Sequence, residues 1–449
     1  MQPRLFFLLA LLAIVSACKE ELDMAPPGVP TLTAPQAAMV AALDTTLWPT
    51  DSVPLATPDT DLKWLDAVAE KRVVALGEAT HGTREFFQMK DRIFRYLVEQ
   101  HGFAAFAFEA DFAESIYLDQ YLQTGSGELR NLMETRMHFW TWRTEEVHDL
   151  LAWMYDYNVN IPEEAPLRYF GVDCQYLTYQ HFLLEAYLRP VDPILADRVK
   201  EVVWAITAED QQGFVNTTSD QHAAWQDSLE VLSVAMEARR NALIGASDYL
   251  TFEMHKHLLR SVHQVMQVKV AVVLGDQATN WRDAFMAENT EWILEVMGPA
   301  AKICVWAHNA HVARNALYGL GGAMGYHLGQ SLGQDYAVIA FGFSQGQFTA
   351  VTERTGSFHG LNTQTIDELP RPTSANFLLH HAAPAAFVID LDALALTPDW
   401  YDYFRGTQSF LQIGSIYNGV PSRYYRDLDL DDVFDWLVYY KHTSFARQL

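Results

Sequence analysis

Three cysteines in 449 residues are too few to staple a fold, so this chain must be held by an apolar core. Cys174 and Cys304 lie in apolar runs, LRYFGVDC and AKICVWA, where a free thiol behaves as a small hydrophobe; neither is expected to be catalytic. Positive charge is also scarce. The 31 basic residues face 56 acidic ones, a formal net charge of −25, and no basic stripe offsets it. That field repels nucleic acid and anionic lipid, and nucleic-acid binding is excluded. One long apolar run, LFFLLALLAIV, stands near the start and is too short to span a bilayer as a mature helix. Repeats are absent. What is plentiful is core material: 50% hydrophobic and 13% aromatic residues.

Arg4, that apolar run and the small residues of VSAC resemble a bacterial lipoprotein signal. Residues 1–17 are then a signal peptide. Cys18 becomes the lipidated terminus of an exported protein anchored to a membrane, in the periplasm or at the cell surface. Lys19, Glu20 and Glu21 resemble a short surface-export signal. Residues 18–60, with APPGVPTLTAP, read as a flexible tether, and residues 61–449 as the folded domain.

Within that domain RVVALG, FAAFAFE, LRYFGVD and KICVWA read as buried strands, and EFFQMKDRIFRYLVEQHG as an amphipathic helix with a His-Gly stop. The region from about 181 to 297 reads as almost wholly helical, an insertion or cap. Strands alternating with helices predict an α/β fold: a mostly parallel central sheet flanked by helices, with a large helical insertion.

In such a sheet ligands bind outside the carboxyl ends of the strands, and this edge is heavily loaded. Glu78 and His81 follow the first strand, Glu109 ends the second, Asp173 ends the third, and His308 and His311 follow KICVWA. A helix start at Thr80 or Thr83, capped by the threonine, would favour a neutral imidazole at His81 and a carboxylate at Glu78, the pairing a general base requires. Taken alone, GExxH is equally a capping pattern. The same histidines and glutamates suit a divalent metal, although their spacing matches no zinc signature. Arg282, at a helix start, is placed to meet an anionic group of a substrate or a carboxylate across the edge. GFSQG satisfies the nucleophile-elbow pattern, but QFTAVTE after it is strand-like, so Ser344 is not read as a nucleophile and Gly346 is read as the turn or bulge between two strands. Trp140, Trp142 and Trp153 read as core.

LGEATHGTREFFQMKDR, GFAAFAFEADFAES, FWTWRTEEVHDLLAWMYDYN, GVDCQ, RDAFMAEN, WAHNAHVAR and GFSQGQFTA occur in the order and approximate spacing of the erythromycin esterase family. The resemblance runs from about residue 60 to the C-terminus. It implies a metal-independent hydrolase of a small-molecule ester, a macrolactone in the namesake branch, that uses activated water and no covalent serine intermediate. The family's histidine base matches His81 and its accompanying glutamate Glu78; Glu109, His308 and His311 match further catalytic positions. A basic residue that is arginine in some macrolide esterases falls on Lys90, which with Asp173 and Arg282 is expected either to contact substrate or to support the residues that do. Lysine is a point charge and cannot form arginine's bidentate fork. The family is broad, so the resemblance implies hydrolysis strongly and a macrolide weakly. A metal-dependent hydrolase or protease of the same fold group, or a non-catalytic binding lipoprotein, are the alternative readings.

Overall fold

The run Val73–Leu76 is apolar at every position and buried on both faces, as a central parallel strand must be. It belongs to a computed structural model that describes residues 30–51, 59–160, 166–275, 278–315 and 322–449. The apolar leader and Cys18 lie outside those residues. In chain order the strands are β1 (Trp48–Pro49), β2 (Val73–Leu76), β3 (Ala105–Asp111), β4 (Arg168–Asp173), β5 (Ile303–Trp306), β6 (Tyr336–Arg354), β7 (Ser357–Ile366), β8 (Ala386–Asp390), β9 (Gln408–Leu411), β10 (Ile416–Tyr417), β11 (Tyr425–Leu428) and β12 (Trp436–Thr443). The main sheet runs β1-β8-β12-β6-β2-β5-β3-β4, with β7 and β10 also paired to β6. From β12 to β4 all neighbours are parallel; β8, β1 and β7 are antiparallel additions.

Alternation along each strand feeds two separate cores. Val73, Ala75, Ala105, Ala107, Ile303 and Val305 face one, and Val74, Leu76, Phe106, Phe108, Cys304 and Trp306 face the other. The helices divide between these faces. α1 (Ala34–Leu43) precedes the sheet; α2 (Arg84–His101) links β2 to β3; α3 (Phe112–Thr124), α4 (Leu129–Arg136) and α5 (Glu145–Asn160) link β3 to β4. α2 and α5 pack on the Trp306 face. The other face takes the helical region: α6 (Gln180–Leu188), α7 (Pro193–Asp210), α8 (Ser219–Glu237), α9 (Arg240–Ala246), α10 (Tyr249–Leu274) and α11 (Ala278–Met297). Short α12 (Asn309–Val312) and α13 (Met324–Leu332) follow β5. No helix among the described residues is long and apolar enough to cross a membrane.

Three sequence expectations need correction. The tether reading fails for its later part: Ala34–Leu43 is a helix started by a Thr33–Gln36 capping box, with Val40 and Leu43 buried, and β1 pairs with β8, so ordered structure begins before residue 61. Thr83 occupies the N-cap of α2 but does not cap it with its side chain; its Oγ1 lies 2.7 Å from Thr80 Oγ1. Of the turn or bulge read at Gly346, the turn is overturned: at φ 119° this glycine sits inside the continuous 19-residue β6, and the reversal to β7 falls at Thr355 and Gly356.

Candidate active site

Register brings the carboxyl ends of β2, β5 and β3 level: Leu76 pairs with Trp306, and Trp306 with Phe108. The residues that follow therefore emerge side by side. His81 Nδ1 lies 2.8 Å from Glu78 Oε1. The other carboxylate oxygen accepts two hydrogen bonds, from Lys90 Nζ at 2.6 Å and from the Trp306 indole N–H at 2.7 Å. Glu78 is fully buried, and the His81 side chain is 15% exposed. The loop has no spare room. A Cβ on Gly77 would stand 2.1 Å from Asn309 Oδ1, and one on Gly82 would stand 2.2 Å from the Thr349 carbonyl oxygen.

Of the two roles expected of Lys90, contact with substrate is excluded: it is fully buried, with Nζ 4.3 Å from the centre of the Trp306 ring. Burial pulls its ammonium down to about 8, against the opposing pull of Glu78. Asp173 is likewise buried and grips Arg282, whose Nε and Nη2 each donate to it at 2.8 Å. Arg282 Nη2 also donates to Glu109 Oε1 at 2.7 Å. These three residues hold the site together from behind, as cross-element ion pairs.

His311 sits at the centre of that network. Its Nδ1 is 2.7 Å from Asp283 Oδ1 and its Nε2 is 3.3 Å from Glu109 Oε1. Burial acts to lower its pKa, but Asp283 and Glu109 push it up to about 10, so the ring is an imidazolium at neutral pH and donates through both nitrogens. Arg282 Nη1, 3.0 Å from Nε2, is then a like-charge neighbour, offset by Glu109, Asp173 and Asp283 around it. Burial works to raise the Glu109 carboxyl; His311 and Arg282 hold it well below the usual range. Its second oxygen accepts the His308 backbone N–H at 2.9 Å.

His308 differs in kind. Its Nδ1 accepts the Ala310 N–H at 3.1 Å, which fixes the proton on Nε2, and Nε2 is buried without a protein partner. Burial, then His81 and His311, push its pKa well below the ordinary value, so this ring is neutral. It lies 5.1 Å from the His81 ring, centre to centre.

Asp283, Trp306 and the Gln412–Gly414 segment are site residues that sequence reasoning does not single out. Asp283 stands beside Arg282 in RDAFMAEN, and Trp306 inside a strand. The third segment gives no signal: Ile413 and Gly414 donate backbone N–H groups to the Ala79 carbonyl, Gly414 accepts the His81 N–H, and Asn309 Nδ2 donates to Gln412 Oε1 at 3.2 Å. Among the described residues no group of three or more His, Cys, Asp and Glu side chains is arranged to hold a metal ion. Nδ1 of His81 is turned to Glu78, the two nitrogens of His311 to Asp283 and Glu109, and Nδ1 of His308 to the Ala310 N–H. Ser344 is buried in β6 with Oγ 2.9 Å from the Tyr439 hydroxyl, with no histidine in contact, which is not a nucleophile's setting. Trp142 donates its indole N–H to the Glu109 carbonyl.

Comparison with known proteins gives this geometry relatives. The family model "Erythromycin esterase" matches residues 98–443. The chain is 26% identical over 276 residues to a putative hydrolase, YbfO, of Bacillus subtilis (strain 168), covering 57% of this chain and only 59% of that relative. It is 23% identical over 331 residues to erythromycin esterase type II of Escherichia coli, covering 69% of this chain and 77% of the relative. A solved structure of a Bacillus cereus protein superposes with a TM-score of 0.79 at 24% identity, covering 94% of this chain and all of that one.

Proposed function

The chain belongs to the erythromycin esterase family, and from that premise we propose that it hydrolyses an ester of a small molecule with water activated by His81. The relatives support a hydrolase. The observation that carries the rest is the contrast between two imidazole–carboxylate pairs on one sheet edge. His81, held at Nδ1 by Glu78, is partly exposed and presents Nε2 as a base. His311, held by Asp283 and Glu109, is a charged acid. Such a divergence assigns base and acid within one site.

In this reading His81 takes a proton from water as the water's oxygen attacks the ester carbonyl. His308 Nε2–H is the donor available to the developing oxyanion. His311 then gives its proton to the leaving alkoxide oxygen, and Glu109 and Asp283 stabilise the charge it carries until then. Lys90 and Trp306 keep Glu78 aimed through their hydrogen bonds to its second oxygen. The scissile ester is not restricted to a macrolactone.

The test uses protein lacking residues 1–17, incubated with erythromycin and a panel of simple esters beside its His81→Ala variant, with mass spectrometry for one added water. Hydration by wild type alone supports the reading. Equal hydration by the variant, or a variant whose loss of activity is matched by a lowered Tm, overturns it. We further propose a lipid anchor at Cys18, supported by the charge, apolar run and lipobox order of residues 4–18. Membrane recovery that survives Cys18→Ser would overturn that part.

A further inference from the structure

The wall of the site beside Asp173 holds a group of aromatic side chains at the margin of the core. Two loops meet there. From residues 137–143, Trp142 donates to the Glu109 carbonyl at 3.0 Å; from residues 174–179, Gln175 Nε2 donates to Asp173 at 2.6 Å and the Tyr176 N–H donates to Asp111 at 3.1 Å. Both loops are thereby fixed to the catalytic edge. On their outer side the exposed His138 ring lies flat on Tyr176, 3.5 Å between centres and 25° between planes, with Phe139 edge-on to Tyr176 at 5.5 Å. Lys269 closes on Tyr176, 5.4 Å from its ring centre, and is itself paired to Asp210 at 2.6 Å.

The floor beneath this stack is acidic. Glu109, Asp111, Glu114 and Asp173 stand there against Arg143 and Arg282, and Arg282 is already bound by Asp173 and Glu109. The Glu114 carboxyl is buried among them. Burial and Asp173 push Asp111 up to about 7. An imidazole face backed by a phenol ring suits a flat group with an apolar face.

We propose that the stacked His138–Tyr176 pair beside Asp173 is a substrate subsite that receives a six-membered ring with an apolar face, supplied by a sugar or by an aryl group. The inference rests on the hydrolytic reading above and names the substrate class for the same site. Stacking on His138 would hold the ring while the ester reaches toward His81, so the binding energy of a remote group would fix the reacting carbonyl.

The experiment compares kcat/KM for 6-O-acetylglucose, phenyl acetate and ethyl acetate in wild type, His138→Ala and His138→Phe. At least one ring-bearing ester is expected to exceed ethyl acetate by about tenfold, the scale of a good aromatic stack. That ratio should collapse in His138→Ala, mainly through KM, and return in His138→Phe, which keeps a flat face. Whichever ring ester leads identifies the source of the ring. A wild-type ratio near one, or a ratio that His138→Ala leaves intact, overturns the inference. If no ester is hydrolysed, the hydrolytic reading fails instead, and the subsite is read from saturation-transfer NMR of methyl glucoside and phenyl acetate on His81→Ala protein. A ring signal that disappears in the His81→Ala, His138→Ala double variant supports the subsite; no ring signal on His81→Ala protein, or one that persists in the double variant, overturns it.

Discussion

His257, buried in the helical region, and His311, largely buried at the catalytic edge, each make one short hydrogen bond, at 2.8 and 2.7 Å. They differ in what holds them. His257 meets the carboxamide of Asn289 and stacks on Trp292, and burial pushes it down to about 4; His255, on the same helix with a backbone carbonyl for a partner, is pushed to the same value. His311 meets Asp283 and Glu109 and is pushed up to about 10. Burial is common to both regions, so it does not decide the protonation state. The charge of the partner does: a carboxamide for His257, two carboxylates for His311.

The comparison breaks most decisively at Asp283. Asp283→Asn leaves His311 a neutral partner like that of His257, and kcat should fall by about 10²- to 10⁴-fold, the worth of a placed general acid. The alkaline limb of kcat, set by a group held up to about 10, should move to lower pH. A limb that does not move would show that His311 is not the acid.

Next in size is Trp306→Phe, which removes one of the two donors to Glu78 Oε2 and keeps an aromatic ring among Phe87, Phe106 and Phe108. A hydrogen bond to a charged group is worth about 1.5–3 kcal/mol, so kcat should drop roughly 10- to 100-fold with KM unchanged. A change in KM alone would place the indole in substrate binding.

The two regions should also part company with pH. His255 and His257 sit below their ordinary value, so the unfolded chain binds more protons between about 4 and 6.5. Their contribution is present above 6.5 and lost as pH falls through 4. His311 sits above its ordinary value; its contribution is full below 6.5 and lost as pH rises through about 10. Hydrogen exchange at pH 5 should therefore quicken in Tyr249–Leu274 before it does in β2 and β5. Uniform quickening would remove the distinction. The smallest effect belongs to Ser344→Ala, which should cost about 1 kcal/mol of stability through the lost Tyr439 hydrogen bond and leave turnover unaltered. Abolished turnover with Tm retained would restore the serine as a candidate.

Much of the edge is legible in the sequence because parallel strands align their ends. Once VVAL, AFAFE and ICVW are read as strands, Glu78, Glu109 and His308 must neighbour one another. Roles are harder than places. Lys90 lies on the buried face of α2, and only the fold shows that its charge is spent on Glu78. The Trp306 indole looks like core by every local rule and is also a donor. Gln412–Gly414 reaches Ala79 and Asn309 from more than 100 residues away in sequence, where no periodicity speaks. The helix at Ala34–Leu43 is hidden by the Pro-rich run before it, although Thr33 and Gln36 carry its start signal.

The absence of room for a Cβ at Gly77 and Gly82 divides how this protein can change. Each position is wedged against an atom of another strand or turn, so the stretch between them cannot drift without dislodging Asn309 or Thr349. New preferences must be written on the opposite bank, in the loops around His138 and Tyr176 and in the helices behind them. A library randomised from 77 to 82 should yield mostly inactive protein; one randomised from 137 to 141 should yield working catalysts with altered tastes.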